Sequence, residues 1–380
     1  MSSRYSIFVV ALSALLAFTI LTSDTTVPQV DTAIVTPETA EKRTSNFPTA
    51  PAATTSPAKP EPKPVPAKKP IQPDPQPVLQ STPSTNNEQQ VARVQNPYPY
   101  PQLPSSALDT ITRAAIINIL CIVNSGESVS GSGVVIDPRG VVLTNAHVGQ
   151  YVLLSEVSSN ITCTARAGSP AQPAWKLRTL FMPSMWVDVH AKDLRSPQPT
   201  GTGEHDYALL LIKKLDTVAI PPPITPLAYE TREGVAFEGD PVLLASYPAG
   251  FVGSFIVINN LYLTSTFASI LKLYTFKTSS IDLLSLGGVI LAQGGSSGGA
   301  VVNMWGNLVG IIVTTSEGKT TADRDLRATT ITHVDRSIRE HTGVGLSEFL
   351  NGDILERADD FRVNHLAELA QKLVDQVPQQ

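Results

Sequence analysis

Eighteen of the chain's 31 prolines fall within residues 25–106. Proline fixes φ and lacks an amide donor, so a stretch such as PAKPEPKPVPAKKPIQPDPQP cannot enter a helix or a sheet interior. Residues 25–106 therefore read as an extended, disordered tether. Polyproline II rises about 3.1 Å per residue, which gives an upper reach of roughly 250 Å. A ligand for a proline-binding domain is the other use of such a composition. Any fold must come from the flanks. Residues 1–24 hold one apolar run, Ile7 to Leu21, after Arg4 and before Asp24. Extended to Tyr5–Thr22 it reaches the range of about 17–25 residues that spans a bilayer. No small-x-small cleavage pattern follows it, which favours a signal anchor over a cleaved signal peptide. Membrane contact is thus expected through residues 5–22, and either reading exports the rest of the chain.

From about residue 107 to 345 the composition becomes globular. Short β-branched and apolar runs recur between Gly, Pro, Asn and Asp: AAIINILCIV (114–123), SGVVID (132–137), VVLTNA (141–146), YALLLIK (207–213), DPVLLASY (240–247), AVVNM (300–304) and NLVGIIVTT (307–315). Many strands at short spacing predict an all-β barrel or sandwich, and DPRG at 137–140 reads as a hairpin turn. Helical periodicity returns at Thr332–His341 and in the tail, residues 346–380, where LAELAQKLVDQV predicts one amphipathic helix. Charged residues make up 16% and net charge is −5, without the clustered Lys and Arg that a nucleic-acid partner asks for. The two cysteines, Cys121 and Cys163, form no CxxC, which leaves no Cys-rich zinc site. In an exported domain they suggest one disulfide across the sheet; two buried free thiols are the alternative.

Three segments carry chemistry together. LTNAHV places His147 directly after a strand, EHDYALLLI places Asp206 at the mouth of a buried strand, and QGGSSGGAVVN places Ser297 in a glycine-rich turn before another. Each alone has an ordinary structural explanation: a loop, a satisfied histidine, a strand-initiating aspartate. Asp188 and Asp193 compete for the carboxylate role. Jointly the three residue types supply a nucleophile that needs a neighbouring base, an imidazole, and a carboxylate that holds the ring in one tautomer. The glycines let the backbone turn so that the amides of Gly295 and Ser297 converge as an oxyanion hole. His190, Asp193, Glu204 and His205 share one stretch but match no metal-ligand spacing, so no metal and no cofactor are expected.

In their order His, Asp, Ser, these strings resemble the trypsin-like (chymotrypsin-fold) serine proteases, closest to the bacterial HtrA/Deg branch, over about residues 108–340. The resemblance implies two six-stranded antiparallel β-barrels, with His147 and Asp206 from the first, Ser297 from the second, and a crossing near Leu215–Pro226. It implies a serine endopeptidase acting through an acyl-serine on protein or peptide substrates, such as unfolded proteins of a bacterial cell envelope; a homo-oligomer is left open. It implies a specificity pocket lined by Val289–Ala292 and about Val313–Thr315, so by Ile290, Leu291, Val313 and Thr314. No Asp lies at Val289–Gln293, which points away from Arg or Lys and toward small or medium aliphatic residues before the cut. The departures matter too. Ser296 stands where digestive trypsins carry the Asp that pairs with a newly cut amino terminus, and no Arg-Ile-Val-Gly start occurs near 90–115. Ala300 replaces a usual proline, and the residues after Ser297 leave too little chain for a PDZ domain. The competing reading is a protease-like, membrane-tethered module that binds peptides and cleaves them weakly.

Overall fold

The computed structural model describes residues 91–194, 202–277, 279–315 and 320–376. The expected membrane segment (5–22) and residues 25–90 of the tether lie outside the described residues; among those described, no helix is long and apolar enough to cross a membrane. The globular part opens with helix α1 (Ser105–Ala115), which runs straight into strand β1 (Ile116–Val123). Strands β2 (Ser128–Asp137), β3 (Val141–Thr144), β4 (Ile161–Ala167), β5 (Gln172–Phe181) and β6 (Ala208–Lys214) follow, with α2 (Ala146–Ser155) after β3 and α3 (Ser184–His190) after β5. They close an antiparallel barrel in the order β1-β2-β3-β6-β5-β4. The DPRG turn joins β2 to β3 through Gly140 N donating to Asp137 O at 2.9 Å. Alternating Ile117, Ile119, Val135, Val142, Leu177 and Leu210 fill the barrel, as the period-2 geometry of strands requires. Cys121 and Cys163 are cross-strand partners on β1 and β4 and are joined by a disulfide.

After β6 the chain runs without regular structure until β7 (Pro241–Ser246), through the segment expected to cross between sheets. Helix α4 (Ser254–Asn259) and strands β8 (Thr264–Ser269), β9 (Lys272–Tyr274), β10 (Leu283–Gly287), β11 (Ala300–Asn303), β12 (Leu308–Thr315) and β13 (Leu326–Thr330) complete the second unit. Its order is β8-β7-β11-β12-β13-β10-β9, a seven-stranded sheet where a closed six-stranded barrel was expected. The difference lies at Ile270 and Leu271, the only residues between β8 and β9. Ile270 N bonds back to Asp240 O at 3.0 Å and Leu271 N to Ser285 O at 2.8 Å. One long strand is thereby bent into two, and its halves become the two edges of the sheet. A large apolar cluster, including Leu143, Leu209, Leu243, Ala300 and Ile331, lies between the barrel and the sheet.

Two segments depart from the sequence reading. Residues 91–104, expected as tether, lie along the second sheet: Val94 N bonds Gly234 O and Leu103 N bonds Met304 O, both at 2.8 Å. Tyr98 supplies the reason, since its ring packs 5.3 Å from Trp305 and 5.5 Å from Tyr100, and such aromatic contacts outweigh the extended preference of PYPYP. The C-terminal tail is three helices after α5 (Ile331–Thr342), not one: α6 (Leu346–Asn351), α7 (Ile354–Asn364) and α8 (Leu366–Val374). Gly352 ends α6, and Asp353 caps α7 by accepting from Leu355 N at 2.9 Å and Glu356 N at 3.1 Å. A side chain that satisfies orphan amides favours a new start over continuation. Phe361, Leu366, Leu369 and Leu373 then cover Met182 and Trp186 on the outside of the first barrel.

Candidate active site

The β3–β6 ladder brings the first two candidates together. Thr144 pairs with Ala208 in antiparallel register, so the chain leaving β3 meets the chain entering β6. His147 lies in the first turn of α2 and Asp206 two residues before β6. His147 Nδ1 is 2.7 Å from Asp206 Oδ2, and His147 N donates to Asp206 Oδ1 at 2.9 Å. Asn145 Nδ2 donates to Asp206 O at 3.0 Å, fixing the backbone of that residue from the α2 N-cap position. The competing carboxylates are engaged elsewhere, Asp188 with Lys372 at 2.7 Å and Asp193 with His190 at 3.2 Å. The ring of His147 is a quarter exposed and the Asp206 side chain nearly buried. Burial works to lower the His147 pKa, but the charge and hydrogen bond of Asp206 outweigh it and the net shift is upward. With Nδ1–H given to the carboxylate, Nε2 is left as the acceptor a base needs.

Ser297 sits on the turn between β10 and β11. Gly298 N donates to Ile312 O and Ile312 N to Gly299 O, each at 2.8 Å, which fastens the turn to β12. Two glycines make the turn possible. Gly295 has φ +87° and a Cβ there would meet Tyr247 O at 2.6 Å; Gly298 has φ +81° and would meet Ser132 O at 2.1 Å and Thr144 Oγ1 at 2.4 Å. Gly298 therefore packs directly against Thr144, three residues before His147, and the turn that carries Ser297 lies beside the first barrel. Among the described residues, the amides of Gly295 and Ser297 donate to no protein acceptor. Ser297 Oγ likewise makes no hydrogen bond there, an open geometry common before substrate draws nucleophile and base together. Ser296 is buried, and its hydroxyl accepts from Ser246 Oγ at 3.1 Å. A neutral pair thus fills the place where an aspartate would need an ammonium partner.

Of the residues expected to line the specificity pocket, Ile290, Leu291 and Val313 differ widely in exposure. Ile290 is 60% exposed, whereas Leu291 is fully buried in the core of the second sheet. Val313 is buried as well and lies within 3.3 Å of a Cβ built at Gly203, while Thr314 stands opposite Arg327 in β12. Ile290 and Leu291 are the central residues of a turn closed by Ala292 N donating to Val289 O at 2.8 Å. His190 stacks on Trp186 and His205 faces Ser337; among the described residues no group of three or more His, Cys, Asp or Glu could hold a metal ion.

Sequence reading did not single out Ser132, Asn145, Ser246 or Tyr247, which surround these residues. The only signal was local: Ser132 stands in the GSGVV run of β2, between glycines that a barrel strand does not otherwise favour.

The family of trypsin-like peptidase domains matches residues 131–311, a span that encloses all three candidates. Among solved structures, the Rv3671c protease from M. tuberculosis in its active form is 20% identical with a TM-score of 0.39, covering 69% of this chain and 92% of its own. Deg5 is 16% identical with a TM-score of 0.41, covering 61% of this chain and 90% of its own. No curated protein matches the chain.

Proposed function

We propose, from the match of residues 131–311 to the family of trypsin-like peptidase domains, that the chain is a serine endopeptidase of the HtrA-like kind in which His147, Asp206 and Ser297 act as one unit. The observation that carries the reading is the 2.7 Å pairing of His147 Nδ1 with Asp206 beside a nucleophile turn with two unused amides. In the reaction, Ser297 Oγ attacks the peptide carbonyl while His147 Nε2 takes its proton. The amides of Gly295 and Ser297 bind the developing oxyanion. The imidazolium, stabilised by Asp206, gives its proton to the leaving amine and an acyl-serine remains. Water, activated by the same imidazole, hydrolyses the ester.

Around this centre the rest of the chain supplies location. Residues 5–22 bring the enzyme to a membrane, and the substrates are unfolded or exported envelope proteins. Alone or as a homo-oligomer, the domain requires no metal or cofactor for these steps. The missing hydrogen bond on Ser297 Oγ gives a second reading its footing, a peptide-binding module with weak cleavage.

A fluorophosphonate probe separates the two. The purified full chain should label stoichiometrically, and Ser297→Ala should not label at all. Absence of labelling in folded wild-type protein would overturn the enzyme reading and leave the binding module.

A further inference from the structure

Every carbonyl of the nucleophile turn is held from within. Gly294 O accepts from Ala249 N at 2.7 Å, Ser296 O from Gly299 N at 2.9 Å and Ser297 O from Ser132 N at 2.8 Å. Gly295 O accepts from Ser132 Oγ at 2.8 Å. A trans peptide points its C=O and its following N–H in opposite directions. Holding Gly294 O and Ser296 O inward therefore turns the N–H groups of Gly295 and Ser297 outward, where they are free to meet an oxyanion. The peptide unit between them, Gly295–Ser296, carries neither amide but joins the two units that do, so its place sets their separation and mutual angle. A displacement of that unit through ψ of Gly295 or φ of Ser296 would swing one amide relative to the other. Gly295 offers little resistance of its own, because without a Cβ it reaches many backbone conformations. At its N–H end the unit is tied only by Ser296 N to Gln293 O at 3.3 Å, a long bond. The firm tie is Ser132.

Ser132 is fully buried and belongs to β2 of the first barrel, whereas the turn belongs to the second sheet. Its hydroxyl accepts from Tyr247 N at 2.9 Å. An amide can only donate, so the single hydroxyl proton is left for Gly295 O, and its direction is fixed. Ser132 O accepts in turn from Thr144 Oγ1 at 2.7 Å, on the strand that leads to His147. One residue thus bonds to both ends of the oxyanion turn and to the strand that delivers the base.

We propose that Ser132 is a positioning residue for the reaction: its hydroxyl and amide clamp the Gly295–Ser297 turn to the first barrel and hold the two oxyanion-binding amides convergent. This rests on the serine-endopeptidase reading given above.

Ser132→Ala in the full chain keeps the backbone bond to Ser297 O but leaves Gly295 O without its partner. Competent sites are counted by exhaustive fluorophosphonate labelling. Then kcat and KM per labelled site are measured on a peptide substrate, with the affinity of a peptide aldehyde whose hemiacetal oxygen needs the same amides. Removing one oxyanion donor costs about 10²–10³ in rate, so a displaced pair should cost about 10–100-fold in kcat. KM should stay within about twofold, and aldehyde affinity should fall in parallel with kcat, as differential binding of the transition state requires. Ser132→Thr, which returns the hydroxyl, should recover most of the loss. Ser132→Gly, which lacks it but packs differently, should match Ser132→Ala in kcat per labelled site. Unchanged kcat per labelled site, with the loss confined to the labelled fraction or to Tm, would reduce Ser132 to a core residue. So would Gly and Ala variants that differ tenfold from each other. Failure of wild-type protein to label would instead bring down the enzyme reading, and this assignment with it.

Discussion

Replacing Asp206 with Asn tests the centre most sharply, because it changes a proton and little else. In the native pair the carboxylate accepts twice from one residue, from His147 Nδ1 at 2.7 Å and from His147 N at 2.9 Å. In Asp206→Asn the new side-chain amide can keep its one oxygen for the backbone N–H, and its NH2 then faces Nδ1. The ring must answer with the tautomer that carries its proton on Nε2, and Nε2 can no longer take the Ser297 proton. The equivalent change in a comparable triad costs about 10⁴ in kcat, or about 5 kcal/mol of transition-state stabilisation. The pH dependence adds a second signature. Burial alone lowers the His147 pKa and Asp206 raises it above the ordinary 6.5. Wild-type kcat/KM should therefore rise with pH through a value above 6.5, and in Asp206→Asn the residual activity should rise at lower pH. The stability linkage has the matching sign. A raised folded pKa contributes stability fully below the unfolded value and loses it as pH rises through the folded one, so Asp206→Asn should destabilise most on the acid side. The assay is kcat/KM on a peptide ester from pH 5 to 9, beside urea midpoints at the same pH values. A variant within tenfold of wild type at pH 8, with its acid limb unmoved, would refute the assignment of Asp206.

His205 directly precedes Asp206 with φ +60° and hydrogen-bonds Ser337 on α5 at 3.0 Å; burial, then His333 and His341, push its pKa down to about 4. Its stability contribution is present above the unfolded 6.5 and is lost as pH falls toward that folded value, about 3 kcal/mol at most. The midpoint of His205→Asn, which tolerates the left-handed backbone, should fall less between pH 7 and 4.5 than that of wild type; equal slopes by urea titration would count against it. The disulfide between Cys121 and Cys163 spans 42 residues, for which loop-closure entropy gives about 4 kcal/mol. Replacing both cysteines with Ser should lower the urea-derived stability by about that amount, and a change under 1 kcal/mol would show that the β1–β4 ladder alone sets the pairing.

How much of this was legible in the sequence depends on how local each cause is. The DPRG turn, the strand before His147 and the helical periodicity of Thr332–His341 within α5 are specified by residues within a few positions of each other, and pattern reading finds them. The juxtaposition of His147 with Asp206 was legible by resemblance, but its physical cause, the Thr144–Ala208 register, lies in a strand pairing that no local pattern prints. The bend at Ile270 and Leu271 was invisible for the same reason: it is set by bonds to Asp240 and Ser285, not by any glycine or proline at the bend. PYPYP misled in the other direction, because proline spacing describes only the isolated chain and Trp305, on which Tyr98 packs, is over two hundred residues away. Ser132 is the extreme case. A buried hydroxyl is worth little by itself and much when donor and acceptor are both fixed, and its partners Tyr247 and Gly295 lie 115 and 163 residues along the chain. Residues that perform a reaction can carry recognisable strings because their chemistry restricts the residue type. Residues that hold them in place are specified by distant partners, so their roles emerge only once the two sheets have met.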